Sequence, residues 1–150
     1  MIDTAHSGHS LPAHRVAIAL GVLSLMWAAT FFLGALLHAG ITVDLGFAVL
    51  YEAAILPARI VESLCGIALA VGGWAVLTRR GWAWAGATTG HAVALAGVLQ
   101  GVMATRFGGG TSSVLNDTYH RVMIVVLVSG LVALATPSVR AALRDRSSGP

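Results

Sequence analysis

Four long runs of apolar residues, separated by short polar or glycine-rich stretches, dominate this sequence. A transmembrane helix needs about 20 mostly apolar residues, and the runs predict such helices over about 16–38, 60–78, 82–105 and 119–136. The first run follows Arg15 and has the alternative of being a signal peptide. It is longer than the apolar core of a signal peptide and no small-x-small cleavage site follows it, so we interpret it as a retained helix.

The segment 40–57 between the first two runs is apolar but too short and too interrupted to cross a bilayer. It predicts an interfacial or re-entrant piece, whose charged residues turn to water or to protein. The expected fold class is therefore all-α. We predict a four-helix transmembrane bundle in a single integral membrane domain, 1–150, with this segment between spans one and two.

Composition excludes most soluble classes of protein. Hydrophobic residues make up 57% of the chain and charged residues 10%, and the mean hydropathy is +0.83. A soluble domain carries about a quarter charged residues, so a cytosolic enzyme and a disordered tail are both excluded. The net charge is +3, but the arginines form no patch, and we expect no nucleic-acid partner. The only cysteine, Cys65, lies in an apolar run, so no disulfide framework is expected.

Arginine placement predicts the orientation in the membrane. Six arginines lie near the N-terminus, in the turn between spans two and three, or in the C-terminal tail, namely Arg15, Arg79, Arg80, Arg140, Arg144 and Arg146. Three arginines lie at the opposite ends of the spans, on the other side of the membrane, namely Arg59, Arg106 and Arg121. The positive-inside rule then places both termini in the cytoplasm. Because every basic residue is arginine, a composition typical of GC-rich bacteria, we expect a multi-pass protein of the bacterial cytoplasmic membrane.

Small residues at helical spacing predict where the helices pack, because membrane helices associate through close approach at glycine and alanine. In the third span these residues are Gly86, Gly90, Gly97 and Gly101, which we expect on one stripe. In the second span they are Gly66, Ala70 and Gly73, and Glu62 begins the same stripe one turn earlier. Glu62 is therefore expected to point into the bundle.

Eight polar residues form the candidate cluster: His38, Glu62, His91, Gln100, Asn116, Asp117, His120 and Arg121. The topology places most of them in the outer half of the bundle, with His91 near the midplane. Helix caps and interfacial ion pairs account for several of them, and Asn116 or Asp117 is a natural N-cap for span four. The alternative is a functional site, because ionisable groups inside a membrane usually face a cavity or a pathway. A Glu62–His120 pair is the specific contact that we predict.

Imidazole and carboxylate groups in such a cluster can relay protons, ligate haem or hydrogen-bond a quinone. No metal site is predicted, because no His-x-x-x-His or Glu-x-x-His spacing occurs within a span. Haem and quinone stay open as cofactors. Nucleophilic catalysis has little support, since no serine or cysteine accompanies a histidine in a known motif.

The stretch from Val61 to Gly73, followed by Leu77-Thr78-Arg79-Arg80 and an apolar third helix, resembles the DoxX-like family of small four-helix membrane proteins. The shared features are a glutamate that opens the second helix, a glycine-rich helix and a basic turn into the third. They cover spans two and three. The resemblance implies a membrane-redox role, such as partnership in quinone- or thiol-linked electron transfer, and it implies a functional role for Glu62.

Two functions remain as hypotheses. The first is a non-enzymatic accessory or structural membrane component, whose partner is a larger membrane subunit or a second copy of the chain in the lipid bilayer. The second is a redox- or quinone-associated protein that uses the outer His/Glu cluster. A small transporter is a third class, and so short a chain would need to dimerise to enclose a path.

Overall fold

The computed structural model describes residues 10–108 and 113–144. The helices are α1 (Ser10–Leu37), α2 (Leu56–Leu77), α3 (Ala83–Phe107), α4 (Val114–Ala135) and α5 (Pro137–Arg144). The first four are long and apolar enough to cross a membrane. A helix of 22 residues, the length of α2 and α4, spans about 33 Å, which matches the hydrocarbon core of a bilayer. The structure confirms an all-α four-helix bundle, and the chain is a multi-pass membrane protein.

Helices α1, α2 and α4 begin earlier than the apolar runs predict, and local residues explain the starts of α2 and α4. Pro57 lies in the first turn of α2, where its missing N–H leaves no hydrogen bond unmade. The side chain of Ser113 caps α4, because its Oγ accepts a hydrogen bond from the Asn116 backbone N–H at 3.0 Å. The prediction that Asn116 or Asp117 caps this helix is therefore wrong. Both residues lie inside its first turn.

The segment between α1 and α2 contains a short antiparallel hairpin of β1 (Val43–Asp44) and β2 (Val49–Leu50). Its turn contains Gly46, which has a φ of 79° and donates its N–H to Asp44 Oδ1 at 2.7 Å. This left-handed conformation favours glycine. The backbone N–H of Ile55 bonds the carbonyl of His38 at 3.1 Å, so the segment returns to the end of α1 before α2 begins. We call this end of the bundle the hairpin end.

The opposite end carries α5, and we call it the α5 end. Val139 and Leu143 of this short helix are buried against a cluster drawn from α1, α2, α3 and α4. Trp84 donates its indole N–H to the Leu134 carbonyl at 3.0 Å. The guanidinium groups of Arg140 and Arg144 lie 4.6 and 4.4 Å from the Trp84 ring centroid. Cation–π contacts therefore hold α5 across this end of the bundle.

Glycines set the spacing between neighbouring helices, and they divide between two interfaces. Against α3, a Cβ on Gly72 would lie 2.7 Å from the Gly86 carbonyl oxygen. A Cβ on Gly90 would lie 2.6 Å from the carbonyl oxygen of Ala68 in α2. Against α1, a Cβ on Gly73 would lie 2.9 Å from the carbonyl oxygen of Gly21.

The remaining predicted packing glycines meet side chains instead of backbone. Gly66 faces Phe32 of α1, and Gly97 faces the Cys65 sulfur of α2. Gly101 faces His120 of α4, so it does not share the contact surface of Gly90 with α2. The expectation of a single four-glycine stripe is therefore corrected at Gly101. The reason is that a helix advances 100° per residue, and α3 at Gly101 meets α4 rather than α2.

Candidate functional site

A cavity of about 750 Å³ lies at the hairpin end, between α2, α3, α4 and the chain segment 49–53. Its volume falls within the range of about 300–1,000 Å³ typical of small-molecule pockets. Most of its wall is apolar, with Phe31, Val61 and Val98 among the lining side chains. Its polar lining includes His38, Glu52, Glu62, Gln100, Ser113, Asn116, Tyr119 and His120. We call this space the hairpin-end cavity.

A buried polar contact in this cavity joins His38 and Glu62. His38 lies just after α1, Glu62 lies in the first third of α2, and His38 Nδ1 is 2.8 Å from Glu62 Oε2. Both residues are buried, with 9% of each residue exposed. Gly34 makes the contact possible, because a Cβ there would lie 2.7 Å from Glu62 Oε1. Glu62 thus pairs with His38, which follows α1, and the predicted Glu62–His120 pair is wrong.

His120 lines the same cavity from the first turns of α4 and is packed against α3. A Cβ on Gly101 would lie 2.7 Å from His120 Nε2, so the absence of a side chain at Gly101 leaves room for the imidazole ring. Its other nitrogen, Nδ1, is buried and has no hydrogen-bond partner among residues 10–108 and 113–144. A buried polar atom without a partner costs free energy, about 1–3 kcal/mol.

Tyr119 closes the inner side of the cavity. Its hydroxyl lies 3.3 Å from Thr30 Oγ1, and its ring packs edge-on against Phe31 with a centroid distance of 6.0 Å. These contacts join α1 to α4 at this level. Glu52 lies on the opposite, outer side, where it accepts a hydrogen bond from the Ser113 hydroxyl. The segment 49–53 is therefore attached to the start of α4 and covers the cavity.

The structure brings five of the eight predicted cluster residues into this cavity: His38, Glu62, Gln100, Asn116 and His120. Asp117 and Arg121 follow in α4 but do not line it. Sequence reasoning missed Tyr119 and Glu52 as members of the site. Tyr119 could have been found as the neighbour of His120, whereas Glu52 lies in a segment whose structure the apolar pattern does not define.

His91 lies apart from the other residues. It is only 3% exposed, and it lines a smaller cavity of about 300 Å³ between α1 and α4. Its Nδ1 is 2.9 Å from the Ala87 carbonyl oxygen of its own helix, so Nδ1 carries the proton and donates it. The ring lies against Gly130 of α4, where a Cβ would be 2.6 Å from Nε2. His91 therefore belongs to the helix packing near the middle of the bundle.

The donor set of the hairpin-end cavity favours hydrogen bonding and proton exchange. Within the described part of the chain, no three His, Cys, Asp or Glu side chains are placed to hold a metal ion. An imidazole paired with a carboxylate can donate or accept a proton at its free nitrogen. The apolar wall accommodates the ring or tail of a lipid-soluble molecule.

Comparison with known proteins adds no relative. No protein-family model matches the chain, and no curated protein or solved structure is significantly similar to it. The function is therefore argued from the cavity itself.

Proposed function

We propose that this protein binds a lipid-soluble quinone or quinol in the hairpin-end cavity and acts as a redox-associated component of the bacterial cytoplasmic membrane. The observation that supports it best is the collection of His38, Glu62 and His120 at one apolar cavity. The implied membership of the DoxX-like family is part of the same proposal.

Both parts of a quinone, the polar ring and the apolar tail, match the chemistry of the cavity. A quinone carries two ring oxygens that hydrogen-bond to donors, and an apolar isoprenoid tail that needs an apolar surface. His38, which follows α1, and His120 of α4 supply imidazole groups to the cavity lining. Phe31 and Tyr119 supply aromatic surface at the inner wall, where a quinone ring can stack.

Filling the cavity tests this proposal. We expect Ala58→Trp, at a lining position of α2, to weaken binding of a ubiquinone with one isoprene unit by about tenfold or more, because the indole occupies the ligand's space. Val71→Trp is the matched control, because Val71 is 47% exposed on the lipid-facing side of the same helix. Equilibrium dialysis of the detergent-purified proteins measures the binding. Equal affinity in the wild type and both variants would contradict the proposal.

Purification from native membranes separates the proposal from the accessory-component hypothesis. Quinone in the lipid extract of the purified protein would support binding. A larger membrane subunit that co-purifies, with no bound quinone and no saturable binding of the ubiquinone probe, would instead favour the accessory role. A haem absorption band in the same preparation would identify haem as the cofactor in place of quinone.

We also propose that the hairpin end faces the outside of the cell and that α5 faces the cytoplasm, following the six-to-three distribution of arginines. In intact cells, we expect a membrane-impermeant maleimide to label Phe47→Cys, because Phe47 is 89% exposed on the hairpin. It should not label Ser138→Cys on the exposed side of α5 until the cells are opened. The reverse pattern would contradict this orientation.

A further inference from the structure

We propose that His38 is the proton acceptor for a hydroxyl group of the bound molecule and that Glu62 orients its ring and balances its charge. The hairpin-end cavity then binds acidic phenols as phenolates and accepts a hydrogen bond from the hydroxyl of a quinol. This inference rests on the proposed function and names the reacting residues of that site. It assigns a proton-transfer activity to the cavity in addition to binding.

The geometry of the pair leaves one histidine nitrogen for the ligand. Glu62 Oε2 lies 2.8 Å from His38 Nδ1. Within residues 10–108 and 113–144, the other ring nitrogen, Nε2, makes no hydrogen bond. When Nδ1–H donates to the carboxylate, the neutral ring has its lone pair on Nε2. His38 lines the cavity, and we assign Nε2 as the acceptor for a ligand hydroxyl that enters it.

The proposed step is a simple proton transfer. The O–H bond of the phenol breaks, its electron pair stays on the oxygen, and a new N–H bond forms at His38 Nε2. The resulting imidazolium then lies between two anions, the Glu62 carboxylate at Nδ1 and the phenolate at Nε2. A carboxylate that holds a histidine in one orientation and stabilises its imidazolium is the arrangement used by Ser-His-Asp enzymes.

The surrounding charges come from the other elements that pack around the pair. Glu52, from the covering segment, lies close enough for its charge to act on Glu62, and His38 lies close enough for its charge to act on His120 of α4. Asp117 acts in turn on His120. His38 is the residue that contacts the Glu62 carboxylate, at 2.8 Å. His120 supplies a second imidazole to the cavity. Gly34 keeps the carboxylate in place, because any side chain there would displace it.

A coloured phenol reports the proton directly. The probe is a 4-nitrophenol with a short alkyl chain, whose phenolate absorbs visible light and whose phenol does not. We expect the titration midpoint of the bound probe to lie about one pH unit or more below its midpoint in protein-free micelles, because an imidazolium beside the oxygen favours the anion. His38→Gln should bind the probe without this shift, because a glutamine side chain accepts no proton.

Two further variants keep the test decisive if His38→Gln fails to fold. Gly34→Ala leaves both polar side chains present but pushes the Glu62 carboxylate away, so we expect a smaller shift. His91→Gln removes a histidine from the other cavity, and we expect the full shift. A bound probe with no shift, or the same shift in His38→Gln or Gly34→Ala, would overturn this inference and leave the proposed binding intact. Failure of the wild type to bind either the nitrophenol or the ubiquinone probe would overturn both.

Discussion

Gly90→Leu is expected to destabilise the bundle by about 3 kcal/mol or more, the upper part of the range for overpacking. A Cβ alone at this position would lie 2.6 Å from the carbonyl oxygen of Ala68, and backbone cannot rotate away as a side chain can. The α2–α3 pair must therefore separate along its length. Titration of the protein from mild detergent into a denaturing detergent, followed by circular dichroism, measures the change in the free energy of unfolding.

Matched variants on the same helix separate backbone contact from added bulk. Val93→Leu adds volume at a position that is 41% exposed to lipid, and Leu99→Ala removes volume at one that is 46% exposed. Both should change the free energy of unfolding by about 0.5 kcal/mol or less. If Gly90→Leu is as mild as these two, the close approach of α2 and α3 at Gly90 does not support the fold.

Gly97 supplies a comparison of a different kind, since its close neighbour is the Cys65 side chain and not backbone. We expect Gly97→Ala to be destabilising alone and largely restored by Cys65→Ala, which removes the sulfur. No such exchange is available at Gly90, where the neighbouring atom is a carbonyl oxygen of the main chain. Gly97 and Gly90 differ because a densely packed interior has no room for an added methyl group unless a neighbour becomes smaller. A substitution can shorten a neighbouring side chain, but it cannot shorten the backbone.

The helices could be predicted from the sequence because hydrophobic length is a local property. Each apolar run is long enough to span a bilayer, and no tertiary contact is needed to recognise it. The same reasoning found that Gly90 and Glu62 belong to the interior. It missed Gly72, which lies against Gly86 of α3, while its neighbour Gly73 lies against Gly21 of α1. Adjacent residues of a helix face directions about 100° apart, so the Gly72–Gly73 pair serves two interfaces. The sequence alone does not tell which glycine faces which helix.

The partner of Glu62 could not be predicted for a related reason. Spacing within a helix identifies contacts three or four residues apart, but His38 is 24 residues away and belongs to another element. Its contact with Glu62 depends on the absence of a side chain at Gly34 and on the path of the hairpin segment. Polar residues were correctly grouped at one end of the bundle by topology. Their pairing required the rotation of each helix about its axis, which the apolar pattern leaves undefined.

The His38–Glu62 pair should show a large coupling energy, and a double-mutant cycle with leucine measures it. His38→Leu alone leaves the buried Glu62 carboxylate without its hydrogen-bond partner. Glu62→Leu alone leaves the buried His38 imidazole without its hydrogen-bond partner. Replacing both leaves two apolar groups, which a membrane interior accommodates well. Removal of one partner costs more than removal of both, because the desolvation of the remaining group is no longer compensated.

We therefore expect the double variant to be more stable than the sum of the single changes predicts, by about 1–3 kcal/mol. The control cycle combines Glu62→Leu with His91→Leu, whose ring lines the separate cavity between α1 and α4. Those two changes should be additive within about 0.5 kcal/mol, as for sites that share no contact. Additivity in the His38–Glu62 cycle as well would mean that the 2.8 Å contact contributes no stability. In that case Glu62 would be held in the cavity by the packing of α2 against Gly34 rather than by its histidine.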